Sequence, residues 1–100
     1  MSGQVRVLLF HATGDAEGIE QAYHQVSKEL AAVPGQLGNE LLRDVYDPTG
    51  FVVISRWRDL AAFQEWETGA EHKDSTSPLR QYRDTRGGRP FGIYQVTADY

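Results

Sequence analysis

The stretch Asp47-Pro48-Thr49-Gly50-Phe51-Val52-Val53-Ile54-Ser55-Arg56-Trp57 decides the fold. Its first four residues are turn formers, each with its own reason to reverse a chain. The seven that follow, FVVISRW, form the strongest strand signal in the sequence, rich in β-branched and aromatic side chains. On the other side of the turn, Leu37 to Tyr46 carries Leu41, Leu42 and Val45 and reads as a weaker strand. The two runs and the turn between them make a β-hairpin.

Outward from the hairpin the pattern changes period. Before it, Ile19, Ala22, Tyr23, Val26, Leu30 and Val33 recur at three- and four-residue steps and share one helical face. Asp15 is the N-cap candidate for that helix, and Pro34-Gly35 stops it, proline by its missing N–H and glycine by accepting a left-handed cap. Ahead of the helix, Val5 to His11 (VRVLLFH) is a strand that ends in the turn-prone Ala12-Thr13-Gly14-Asp15. After the hairpin, Asp59 caps a second helix with Leu60, Phe63 and Trp66 at steps of three. Thr68-Gly69 interrupts it, a further helical piece runs from about Ala70 to Tyr82, Asp84 to Pro90 is a loop, and Phe91 to Ala98 is the last strand.

The order β-α-β-β-α-β predicts an α+β, ferredoxin-like domain over residues 1–100, an antiparallel sheet with both helices on one face. In the first strand Val5, Val7 and Leu9 point one way while Leu8 and Phe10 point the other; in the third, Phe51 and Val53 oppose Val52 and Ile54. Both faces are therefore apolar, although the helices cover only one. A bare antiparallel face normally alternates apolar with polar residues, so a second copy of the same sheet is expected on the open face, giving a homodimer.

Composition narrows the function. The chain has 100 residues, a formal net charge of −4 and no cysteine. That balance opposes broad nucleic-acid binding and removes disulfides, thiolate nucleophiles and cysteine-ligated metals. No apolar run approaches the ~20 residues that span a bilayer, and Met-Ser-Gly-Gln-Val-Arg-Val has neither the basic segment nor the apolar stretch of a signal peptide. A cytoplasmic protein without nucleic-acid or membrane partners is expected. The three histidines have no metal-ligand spacing, and Gly87-Gly88 precedes a strand, not a helix, so neither a metal site nor a phosphate cradle is expected. His72 is the candidate for acid–base work because imidazole titrates near neutrality; the plainer reading makes it an exposed member of Glu71-His72-Lys73-Asp74. His11 faces a pocket mouth or a turn, and His24 is solvated beside Tyr23. Trp57, Phe63 and Trp66 form an aromatic stripe, either core or ligand wall. The two tryptophans are expected on opposite sides of the pocket. Arg80, Arg83, Arg86 and Arg89 read as a solvated run, with steering of an anionic ligand as the alternative.

The segment from Ser55 to Trp66, SRWRDLAAFQEW, resembles the strand-to-helix signature of the antibiotic biosynthesis monooxygenase family, the dimeric α/β barrel proteins: a tryptophan closes strand three and a helix then opens with aromatics at the sixth and ninth following positions. Pro34-Gly35 is similar to the family's Pro-Gly before strand two. The resemblance implies a ferredoxin-like fold, a face-to-face dimer and a pocket between sheet and helices. Cofactor-independent anthrone oxygenases of this family use an asparagine, a tryptophan, a tyrosine and an arginine. Here the tryptophan corresponds to Trp57 and the arginine to Arg80, while Val53 stands in the asparagine's place and Phe63 in the tyrosine's. Neither of these last two donates a hydrogen bond. In the haem-degrading branch the helix tryptophan corresponds to Trp66, the strand-one asparagine to Val7 and the axial histidine to Thr76, which supplies no haem ligand of that kind. The resemblance implies a cofactor-free monooxygenase acting on a planar, polyketide-type aromatic, with Trp57, His72 and Arg80 as catalytic candidates. Val7, Leu9, His11, Val53, Phe63 and Trp66 are then the substrate-binding candidates. A cyclase or isomerase, or a non-catalytic binding protein, would use the same pocket.

Overall fold

The computed structural model describes residues 3–69 and 72–100, and the side chains of all these except 72–75. Strand β1 (Val5–Ala12) leads into helix α1 (Ala16–Leu30). Strands β2 (Gln36–Arg43) and β3 (Gly50–Trp57) follow, then helices α2 (Leu60–Glu67) and α3 (His72–Arg80), and last strand β4 (Phe91–Gln95). All neighbours in the four-stranded sheet are antiparallel, in the order β2-β3-β1-β4. This is the ferredoxin-like arrangement expected from the element order, with the second helix in two pieces that part near Thr68-Gly69.

Local chemistry sets the boundaries. Asp15 Oδ1 accepts the Gly18 N–H at 2.9 Å and Asp59 Oδ1 accepts the Ala62 N–H at 2.8 Å, so both expected N-caps are in place. Gly35 sits at φ +86°, and a Cβ there would meet the Ala62 side chain at 2.5 Å, so only glycine fits between the end of α1 and the start of α2. Strand β2 stops at Arg43, short of the expected Tyr46. Asp44 Oδ1 there accepts the N–H groups of Tyr46 at 2.8 Å and Asp47 at 3.2 Å, turning the chain early and leaving Val45 and Tyr46 in solvent. Strand β4 ends at Gln95 instead of Ala98 because its partner β1 begins at Val5, opposite Gln95.

The register divides the sheet into two faces. His11, Leu9, Val7 and Val5 on β1 lie opposite Phe51, Val53, Ser55 and Trp57 on β3. This is the helix-covered face, closed by Ile19, Ala22, Val26 and Leu30 of α1, Ala62 and Phe63 of α2, and Leu79 of α3. On the other face Leu8 pairs with Ile54 and Phe10 with Val52, which also neighbours Leu42. These five are only half-buried or exposed, so the two-sided apolar pattern is present and its outer half is uncovered. No helix among the described residues is long and apolar enough to cross a membrane.

Candidate functional site

Between the sheet and the helices lies a cavity of about 220 Å³. Its floor is the inner face of the sheet, where side chains from every second residue of β1 and β3 stand in rows: His11 at one end, then Leu9 with Val53, Val7 with Ser55, and Trp57 at the other. Val26 and Leu30 of α1, Phe63 and Trp66 of α2, and Thr76, Leu79 and Arg80 of α3 form the roof. Arg83 beyond α3 and Phe91 of β4 complete the rim. A larger groove of about 360 Å³ runs between α1 and β2. It is shallow and its Glu20, His24 and Arg43 are exposed, so it cannot hold a ligand away from water as the inner cavity can.

The tryptophan end is packed tightly. Trp57 is fully buried, its ring 5.5 Å from Phe63 in an edge contact and 5.4 Å from Trp66 at an interplanar angle of 30°. The two tryptophans therefore stack on each other along one wall instead of facing each other across the cavity, which corrects the expectation of opposite sides. The roll of α2 that buries Phe63 carries Trp66 onto Trp57. Trp57 Nε1 donates to Ser55 Oγ at 2.9 Å, and both residues are buried. Ser55 thereby satisfies the indole N–H, and both residues line the cavity. Ser55→Ala is expected to strand that N–H in an apolar environment and cost about 1–3 kcal/mol of stability. A denaturant midpoint equal to that of the unaltered protein would contradict this role.

The opposite end is polar. His11 is 5% exposed, lines the cavity, and its Nδ1 has no hydrogen-bond partner among the described residues. It is held by a backbone bridge to Arg83, next to which the Asp84 N–H donates to the Phe10 carbonyl at 2.9 Å and the Ala12 N–H to the Tyr82 carbonyl at 2.8 Å. Burial pushes the imidazole below its ordinary value of 6.5; the Leu9 backbone opposes this, the Arg83 charge adds to it, and the Asp84 carboxylate opposes it weakly. The fold therefore holds the neutral ring. A histidine with a lowered folded value contributes fully above pH 6.5 and loses that contribution as pH falls below it toward the folded value. His11→Gln is expected to flatten the acid-side fall in stability below pH 6.5, read from denaturant midpoints across pH. An unchanged slope would contradict it. Asp84 takes no part in that transition, because Arg86 grips it with bonds of 2.9 Å and holds its carboxyl at about 2.

Of the candidate residues named from the sequence, Val7, Leu9, His11, Val53, Trp57, Phe63, Trp66 and Arg80 all line this one cavity. His72 opens α3, and its side chain lies outside the described residues. Arg83, expected in a solvated run, lines the cavity because the chain after α3 bridges back to β1. Ser55 was missed, although it lies two residues before Trp57 on the same face of β3 and strand alternation alone could have found it. Glu67 was missed as well; it ends α2 at the cavity edge. Among the described residues no group of three or more histidines, cysteines or carboxylates is placed to hold a metal.

The chain is 31% identical over 99 residues to Protein SchA of Streptomyces halstedii, an overlap of 96% of this chain and 26% of that protein. It is 32% identical over 103 residues to the 42.8 kDa protein in the whiE locus of Streptomyces coelicolor, an overlap of 87% and 25%. The chain thus spans about a quarter of the length of the curated relatives it matches. Among solved structures, SnoaB from Streptomyces nogalater, a cofactor-independent oxygenase, is similar in fold, with a TM-score of 0.74 at 21% identity over 97% of this chain and 93% of that one. The sequence model of antibiotic biosynthesis monooxygenases matches residues 5–76, which run from β1 through the hairpin and the Trp57 stack into α3. The chain belongs to the antibiotic biosynthesis monooxygenase family.

Proposed function

We propose that this protein is a cofactor-independent monooxygenase acting on a planar aromatic, polyketide-type small molecule, and that it works as a homodimer joined through the outer face of the sheet. The observation that carries the reading is the cavity itself. It has an apolar middle of Val7, Leu9 and Val53, an aromatic wall at one end, and a buried neutral imidazole with arginines at the other. At about 220 Å³ it lies below the roughly 300–1,000 Å³ of typical ligand sites, which suits a small flat molecule. A dry site of this kind favours proton removal from an activated C–H group, leaving a carbanion that itself gives electrons to molecular oxygen. The likeness to SnoaB, a cofactor-independent oxygenase, supports the same reading.

A second reading, a cyclase, isomerase or binding protein, has one observation in its favour. Val53 offers no hydrogen bond where the anthrone oxygenases carry asparagine, and Phe63 none where they carry tyrosine. Oxygen uptake separates the readings. With anthrone as probe and no added flavin, haem or metal, one O₂ is expected to disappear per anthraquinone formed. Conversion of a probe without oxygen uptake would move the assignment to proton-transfer chemistry, and quenching of tryptophan fluorescence without turnover would move it to binding.

A further inference from the structure

We infer that His11 is the general base of this site, taking the acidic proton of the bound substrate and returning it later in the turnover. The inference rests on the proposed oxidation of an aromatic C–H acid and names the residue that begins it. Three structural facts point to this side chain. It lies at the polar end of the inner cavity, on the helix-covered face of β1. It is 95% shielded from solvent, and Nδ1 makes no hydrogen bond of good geometry among the described residues, only the Leu9 backbone acting on the ring as a hydrogen-bonding group. And the backbone bridge to Arg83 fixes the ring beside a guanidinium whose charge favours an anion formed nearby.

Proton and electron accounting closes around one imidazole. The substrate methylene loses H⁺ to the ring, and the electron pair of that C–H bond stays on carbon. Molecular oxygen accepts those electrons and bonds to the carbon as a peroxide anion. The imidazolium returns its proton to the terminal peroxide oxygen. The neutral ring then removes the second C–H proton while the O–O bond breaks and hydroxide leaves, and the two combine as water. In sum CH₂ and O₂ become C=O and H₂O, and His11 ends as it began. Burial keeps the ring unprotonated and ready at neutral pH. Among the described residues the charged groups around it are Arg83 and Asp84 after α3, with Arg80 of α3 and Glu67 of α2 on the same cavity; β3 brings only Phe51 opposite it.

The test separates proton removal from oxygen chemistry. Without oxygen, in D₂O, the intact protein is mixed with anthrone and exchange of the methylene protons is followed by NMR above the protein-free rate. His11→Gln and His11→Asn are each expected to lower the catalysed exchange by about 10²–10⁴-fold. Tryptophan quenching by anthrone should stay unchanged in these variants, and free imidazole should restore part of the rate to His11→Ala. His24→Gln, altered on the exposed face of α1, should exchange like the original. The rate should fall on the acid side below pH 6.5 and level off near neutrality. If neither His11 variant folds, imidazole-ring NMR of the unaltered protein serves instead: the acid-side fall of the exchange rate should coincide with protonation of the His11 ring. Exchange that survives in folded His11 variants, or that is lost in His72→Gln alone, would overturn the assignment while leaving the oxygenase reading intact. Exchange that depends on His11 but is never followed by oxygen uptake would support the base and overturn the oxygenase. Absence of catalysed exchange in the unaltered protein, or an acid-side fall that does not coincide with protonation of the His11 ring, would overturn the base.

Discussion

Replacing Trp57 by alanine is expected to lower the unfolding free energy by about 3–5 kcal/mol, the usual cost of emptying a buried tryptophan site. The ring is fully buried, shares contacts with Phe63 and Trp66, and joins β3 to α2 at the closed end of the cavity. Because the net stability of a domain is about 5–15 kcal/mol, this is a large share of it. Trp57→Phe should lose less, since it keeps an aromatic surface and gives up chiefly the N–H bond to Ser55. The check is a denaturant midpoint at unchanged slope. Trp66 is only half-buried on the same wall, so Trp66→Ala should weaken ligand quenching more than it lowers stability. Equal, small stability changes at both positions would contradict the division of labour between them.

Placing a carboxylate at Ile54 is expected to break the proposed dimer. Ile54 stands at the centre of the outer face, between Leu8 of β1 and Glu40 of β2 in register. A two-fold axis through that face brings both copies of any substitution into the interface. Two buried, unpaired carboxylates cost at least about 4 kcal/mol together, roughly a 10³-fold rise in the dimer dissociation constant. The side chain points away from the core, so Ile54→Glu should remain folded by circular dichroism while sedimenting as a monomer at micromolar concentration. A monomeric unaltered protein, or a variant that still sediments as a dimer, would remove the open sheet face from the interface.

How much of this was legible in the sequence depends on how local the cause is. The strands around FVVISRW and VRVLLFH and both aspartate caps are short-range effects, and the structure has each of them, whereas α1 ends at Leu30 with Ala31 as its cap, ahead of the expected stop at Pro34-Gly35. The gathering of Val7, Leu9, Val53, Phe63 and Trp66 on one cavity follows from strand and helix periods once the element order is known. Three things did not follow. The early end of β2 comes from a side chain, Asp44, bonding two amides ahead, which competes with strand pairing over only a few residues. The stacking of Trp57 on Trp66 depends on the roll of α2 against the sheet, and no one-dimensional pattern encodes a roll. Arg83 reaches the cavity through a bridge to His11, a pairing between the first strand and the segment after α3. The same bridge buries the His11 ring, the buried histidine among the described side chains; the sequence-based acid–base candidate, His72, has its side chain outside the described residues.

Isotope incorporation tests most directly whether oxygen chemistry takes place in the inner cavity without a bound cofactor. Purified protein, dialysed against chelator and free of flavin and haem absorbance, is given anthrone under ¹⁸O₂ for a single turnover. We expect one ¹⁸O atom in the new carbonyl of the product and the other in water, with incorporation abolished when bulky residues fill the cavity at Val7 or Val53. Product oxygen derived from solvent, or turnover only after flavin, haem or metal is added, would contradict cofactor-free oxygen chemistry in that cavity.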